Sequence, residues 1–273
     1  MAEGDKQTLR AAVSSCPNDT HIFYGLICGD HCLPGAEISW DFEDVETLNR
    51  EALRGTYDIT KISFHAYLAV RDRYRLLRTG AALGFGCGPV VVSRKPVTAA
   101  DLPALRIVLP GEWTTAHLLF RLFAPNAQQK RFVRYDEIIS ALTAGAADVG
   151  VIIHEDRFVF EHAGLHRVAD LGEWWASRTG APIPLGGIVM KHEAAVQYAD
   201  AFDTLVRRSL DERASDPDRA MPFILRHARQ MEPSIVRRHI DTFVNRFSYD
   251  LGDEGDRAVR VLEKMVKEAG ITT

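Results

Sequence analysis

Short apolar runs alternate with stretches of helical periodicity along most of this 273-residue chain. Parallel strands need crossover helices, so the alternation predicts an α/β fold with mostly parallel strands. Residues 9–14 are apolar and read as the first strand. Pro17-Asn18-Asp19-Thr20 follows, and then Ile22, Phe23, Leu26 and Ile27 recur at helical spacing. Asn18, Asp19 or Thr20 can cap that helix by accepting its free amide hydrogens. Residues 37–42 alternate as a strand does, 45–53 read as a helix closed by Gly55, 58–62 as a strand and 64–70 as a helix. Gly80, Gly84, Gly86 and Gly88 mark 80–88 as a loop, either a plain linker or a close backbone approach to a ligand.

The pattern resumes in a second unit near Pro96. Strands are expected at 89–93, 105–109, 132–135 and 148–153, with helices at 116–123 and 136–144, the latter capped by Asp136. The run 148–153 is nearly all apolar, as in a strand buried on both faces. Extended segments at 165–171 and 185–190 follow, and from Ala194 the chain is helical. Val90-Val91-Val92-Ser93-Arg94-Lys95 and Gly187-Ile188-Val189-Met190-Lys191 are loosely alike, each an apolar strand ending in basic residues. They read as hinge strands between two lobes, a larger one formed by 1–93 and 188–273 and a smaller one by 94–187. Such a body is expected to hold a small ligand in a central cleft, against the carboxyl ends of strands and the starts of helices.

Composition narrows the function classes. Apolar residues at 46% and charged residues at 26% are enough for a packed core, so disorder is not expected. A net charge of -4 and a pI of about 6.2 leave no basic excess to neutralise a phosphate backbone, which argues against nucleic acid as a partner. The polar start of the chain and the lack of any apolar run near ~18 residues argue against a membrane and for the cytoplasm. Cys16, Cys28, Cys32 and Cys87 form no paired CxxC, so neither a zinc site nor a disulfide is expected. No glycine-rich nucleotide fingerprint, P-loop or nucleophile elbow is present, so no cofactor is implied.

Three segments carry candidate chemistry. Lys61-Ile62-Ser63 ends a strand just before a helix, where a hydroxyl and backbone amides can hold a carboxylate; Ser63 can equally be an N-cap. Thr114-Thr115-Ala116 opens a helix after a turn, and its hydroxyls either hold an anion or cap the helix. Ile152-Ile153-His154-Glu155 places a histidine after apolar strand residues, where a neutral imidazole can take a proton near neutral pH or simply make a structural hydrogen bond. His65 and His117 are second choices for a base. His31, His162, His166, His192, His227 and His239 read as surface residues.

Taken together these segments make the sequence resemble the 1,4-dihydroxy-6-naphthoate synthase family of menaquinone biosynthesis by the futalosine route. The resemblance is carried by Ser14-Ser15-Cys16-Pro17-Asn18-Asp19-Thr20, Asp44-Val45-Glu46-Thr47-Leu48-Asn49, Thr60-Lys61-Ile62-Ser63 and Thr114-Thr115-Ala116. It continues through Gly150-Val151-Ile152-Ile153-His154-Glu155, Asp170-Leu171-Gly172-Glu173-Trp174-Trp175, Pro184-Leu185-Gly186 and Phe243-Val244-Asn245. Ser15 in place of the usual Pro, and Cys87 in the glycine loop, depart from the pattern. The resemblance implies a two-lobed periplasmic-binding-protein-like fold of type II with a hinge, used as a lyase. It implies fragmentation of cyclic dehypoxanthinyl futalosine to 1,4-dihydroxy-6-naphthoate and dihydroxyacetone. It makes His154 the base and Lys61, Ile62, Ser63, Thr115 and Ala116 substrate contacts, with Thr114, Asn49 and Asp19 in the matched segments as further candidates, and a small carboxylate as the partner. Two other readings stay open at this point: chorismate dehydratase of the same route, and a cytoplasmic protein that only binds a small carboxylate.

Overall fold

Leu9, Ala11 and Val13 point to one face of the first strand and Ala12 to the other, because successive side chains of a strand alternate. A computed structural model describes residues 7–229 and 232–272. In it Leu9, Ala11 and Val13 pack with Phe202 and Val206 of the long helix His192–Ser215, while Ala12 packs with Leu48 and Tyr57. The strand is therefore covered on both faces, as in a doubly wound sheet.

The strands in chain order are β1 (Gln7–Val13), β2 (Ala36–Phe42), β3 (Ile59–Ser63), β4 (Tyr74–Leu76), β5 (Ala82–Gly84), β6 (Val90–Ser93), β7 (Ile107–Leu109), β8 (Lys130–Phe132), β9 (Val149–Ile152), β10 (His166–Asp170) and β11 (Ile183–Lys191). The chain divides into two compact units. Of the described residues, the first holds those up to Ala82 together with those of Gly186–Gly252, and the second holds Leu83–Leu185 and those from Asp253 on. The first sheet runs β2-β1-β3-β11-β4, with β5 pairing off β11; the second runs β10-β6-β9-β7-β8.

Both sheets are mixed, which corrects the expectation of mostly parallel strands. β2, β1 and β3 are parallel, but β11 runs antiparallel to β3 and β4. Likewise β7 is parallel to β8 and β9, while β6 is antiparallel to β9 and β10. Strand composition reports burial, whereas direction depends on the route by which the chain returns. The unit boundaries also differ from the expected lobes. β6 lies inside the second sheet, so it is no crossing; the chain passes between units at Ala82–Leu83, within β11 at Leu185–Gly186, and at Gly252–Asp253. The amphipathic helix Gly252–Glu268, expected in the larger lobe, belongs to the second unit from Asp253 on. Its stripe of Ala258, Leu262 and Val266 shows that one face is buried, not against what.

Local differences are small. The strand expected at 132–135 lies at Lys130–Phe132, and the expected helix starts at Ile138 after a 3-10 turn, with Asp136 bonded to Arg134 (2.7 Å) rather than capping. The glycine segment 80–88 carries strand β5 and the passage between the units at Ala82–Leu83. A Cβ on Gly88 would fall 2.2 Å from the Gly172 amide nitrogen, so Gly88 serves a backbone-to-backbone approach within the second unit. Among the described residues no helix is long and apolar enough to cross a membrane.

Candidate functional site

In the first unit β1 and β3 are adjacent and parallel, so the segments that follow them leave the same edge of the sheet. Ligands of open α/β sheets gather at that carboxyl edge. The helix Pro17–Ile22 that follows β1 carries Asn18, Asp19 and Thr20 inside it, so none of them is the expected cap; Asp19, 1% exposed, accepts hydrogen bonds from the Ser14 hydroxyl (2.7 Å), the Asn18 amide (2.9 Å) and the Lys61 ammonium (2.8 Å). Lys61 also donates to the Gly80 carbonyl at 2.8 Å. Gly80 has φ 73, and a Cβ there would meet Ile188 at 2.7 Å, so the glycine is required where Lys61 is anchored. The buried ammonium thus has a full counter-charge, and breaking such a pair from one side costs about 3–5 kcal/mol.

Ser63 stands at the junction of β3 and the helix Phe64–Val70, yet its side chain makes no cap. Its oxygen accepts from the Asn49 amide (3.1 Å), and its backbone N–H donates to the Asn49 side-chain carbonyl (2.8 Å). Asn49 is fully buried on the helix Val45–Arg54, whose start is capped by Asp44. The two bonds fix the Ser63 hydroxyl and leave its proton without an acceptor among the described residues.

The second unit repeats the arrangement with β7 and β9, again adjacent and parallel. After β7 the turn 110–114 opens the helix Thr115–Phe123. Thr114 is an ordinary cap: its hydroxyl donates to the Gly111 carbonyl (2.9 Å) and accepts from the His117 amide (3.2 Å). The Thr115 hydroxyl donates to the Leu185 carbonyl at 2.6 Å, which fixes its side chain at the start of the helix. Ala116 is buried, and its amide belongs to the first turn, where no carbonyl of the helix can reach it.

His154 follows β9 at the same edge. Its φ is 57, the only positive φ of a non-glycine residue among those described. Left-handed backbone costs an L-residue roughly 1–2 kcal/mol, and such strain collects where geometry serves chemistry. The ring is half-buried and tilted against Tyr135, with centroids 4.8 Å apart. The turn His154–Phe158 is pinned by Arg157, which donates to the Gly86 carbonyl (2.6 Å) and to Asp170 (3.2 Å). In the same turn burial, reinforced by Glu155 and Asp136, pushes the Asp156 carboxyl up to about 7.

Of the other histidines, His162, His166 and His192 are exposed as expected, and three more stand out. His117 is buried, holds the Glu112 carbonyl through Nδ1 (2.7 Å) and is lowered to about 4, chiefly by burial. His31 and His239, expected on the surface, are 6% and 0% exposed. His31 faces Glu212 at 3.1 Å. His239 Nε2 lies 3.0 Å from the Asn18 side-chain carbonyl, which extends the Asp19–Lys61 network to a fourth segment. Sequence reasoning passes over that link, although Val236, His239, Ile240 and Phe243 share one helical face and mark His239 as inward. Among the described residues no three His, Cys, Asp or Glu side chains are grouped as metal ligands would be.

A family profile described as menaquinone biosynthesis matches residues 9–268. The chain belongs to that family. It is 43% identical over 265 residues to the 1,4-dihydroxy-6-naphtoate synthase of Thermus thermophilus, covering 97% of this chain and 96% of the relative. It is 40% identical to the enzyme of the same name from Streptomyces coelicolor, covering 93% and 91%. A solved structure from Archaeoglobus fulgidus superposes with a TM-score of 0.92 at 31% identity, covering 98% of this chain and 100% of that one. The alkanesulfonate-binding protein of Xanthomonas axonopodis, solved with MOPS bound, gives 0.74 at 13% identity over 100% and 96% of the chains. A Candida albicans protein described by the generic periplasmic-binding-protein fold gives 0.66 at 13%, covering 97% and 91%. The fold is therefore periplasmic-binding-protein-like.

Proposed function

We propose that this protein is a carbon–carbon lyase that fragments cyclic dehypoxanthinyl futalosine to 1,4-dihydroxy-6-naphthoate and dihydroxyacetone in menaquinone biosynthesis. The observation that carries the reading is His154, a histidine held in left-handed backbone at the carboxyl edge of a parallel strand pair. Full-length likeness to two proteins named as this synthase supports it.

His154 removes one proton from the substrate. The electron pair released breaks a carbon–carbon bond, the three-carbon fragment departs, and aromatisation of the naphthoate drives the step. A single general base contributes roughly 10²–10⁴-fold, so the remainder comes from positioning. The Ser63 hydroxyl, the Thr115 oxygen and the Ala116 amide bind polar groups of the substrate, its carboxylate included; Ile62 adds apolar contact. Lys61, neutralised by Asp19, shapes the surroundings of Ser63, and Asn49 orients Ser63, so Asp19 and Asn49 act as positioning residues. Thr114 caps the helix that presents Thr115 and Ala116. The four cysteines are free thiols, which fits the reducing cytoplasm as the compartment.

The test is an assay of purified protein with cyclic dehypoxanthinyl futalosine and, separately, chorismate. Naphthoate release that falls at least 100-fold in His154→Asn, with an unchanged melting profile, is the expected result. Turnover of chorismate instead, or saturable binding of either compound without product, would overturn the assignment.

A further inference from the structure

Arg213, in the last turn of the helix His192–Ser215, is only 1% exposed. Its Nε, Nη1 and Nη2 have no hydrogen-bond partner, and no carboxylate pairs with it among the described residues. Its guanidinium carbon lies 4.6 Å from the centre of the Tyr24 ring. A guanidinium stays charged at any physiological pH, and a buried charge without an acceptor is among the most unfavourable groups a fold can carry. The ring and the carboxyl end of its own helix offset part of that cost, but neither accepts the forked N–H groups that suit a carboxylate.

Arg213 lines a cavity of about 480 Å³ within the first unit, a volume suited to a small metabolite. Leu210, Met221, Ile240, Val244 and Tyr249 supply an apolar wall. The other charges along it are Arg237, Arg246, Asp211 and Asp241. Arg237 is held by Asp218 at 2.6 Å and Arg246 lies over Phe247, so neither is free for a ligand in the way Arg213 is. His21, also on the wall, is lowered to about 4 by burial and by Arg213, and stays neutral.

We propose that this cavity is a second small-molecule site, in which the Arg213 guanidinium takes the carboxylate of a compact organic acid whose apolar body lies against Leu210, Ile240 and Val244. The site is independent of the assignment of His154. Calorimetric titration with benzoate tests it, with benzamide as the neutral isostere. The comparison uses the wild-type protein, a Ser63→Ala/Thr115→Val double variant that disables the proposed substrate contacts, Arg213→Met, and Ala214→Trp, which fills the cavity from an exposed helix position. Saturable benzoate binding is expected in the wild type and the double variant, at least tenfold weaker for benzamide, and at least tenfold weaker for benzoate in Arg213→Met and Ala214→Trp. Arg213→Met without ligand is expected to melt no lower than the wild type, since the unpaired charge is gone. No benzoate binding in the wild type, equal affinity for benzamide, loss in the double variant, or unchanged affinity in Arg213→Met and Ala214→Trp would each overturn the proposal.

Discussion

At His154 two properties of one residue pull apart. Its imidazole is the proposed base, while its φ of 57 suits glycine. His154→Gly and His154→Ala should therefore be equally inactive but unequal in stability, with the glycine variant more stable than alanine by about 1 kcal/mol. Thermal melts of the pair check this; equal melting temperatures would mean the backbone relaxes. Ser63 offers a second separation. Ser63→Ala should raise the Michaelis constant about tenfold and lower stability by only about 1 kcal/mol, the share of the single buried bond its oxygen accepts from Asn49. Asn49→Ala removes two buried bonds and should lower both stability, by about 2–3 kcal/mol, and substrate affinity. Steady-state kinetics read beside melting curves distinguish the two. Much at this scale is legible in the sequence: Ser63, Thr115 and His154 stand where short-range pattern puts them, at strand ends and helix starts. Lys61's partner Asp19 and the His239–Asn18 link are not, because the residues they join lie 42 and 221 positions apart.

Elements decide which of these groups share a sheet edge. β1 with β3, and β7 with β9, are adjacent parallel pairs, so the segments after each pair leave one sheet edge. The sequence pattern locates nearly all of these strands, since an apolar run reports burial; it misjudges the directions of β6 and β11, since burial carries no sign. The turn His154–Phe158 carries a consequence for pH. Asp156 has an ordinary value of 3.8 and is raised to about 7 in the fold. Between those values the native state binds more protons than the unfolded chain, so stability falls as pH rises from about 4 to about 7, by up to about 1.4 kcal/mol per pH unit, and does not return above that. Asp156→Asn should flatten this slope and melt higher than the wild type at pH 8. Melting curves at pH 5 and pH 8 check it, and an unchanged slope in the variant would count against the raised carboxyl.

For the whole molecule, the division into units is the least legible feature. Composition announces a core but not which distant segments share it, and the helix Gly252–Glu268 illustrates the point. Leu262, fully buried on its inner face, is expected to be needed by the second unit: Leu262→Asp should cost at least about 3 kcal/mol. Limited proteolysis should then cut first within 83–185, and cleavage confined to the first unit would contradict the assignment.

That same helix bears on how the protein is made. Chains grow from the amino end at about 5–20 residues per second, and domains commonly fold as they emerge. Here the earlier unit waits for Gly186–Gly252 and the later one for the stretch after it, so neither can finish while most of the chain is being translated. A nascent chain stalled before residue 253, or one trimmed back to it, presents the cell's proteases with a second unit that lacks the helix Gly252–Glu268 and the buried face it supplies.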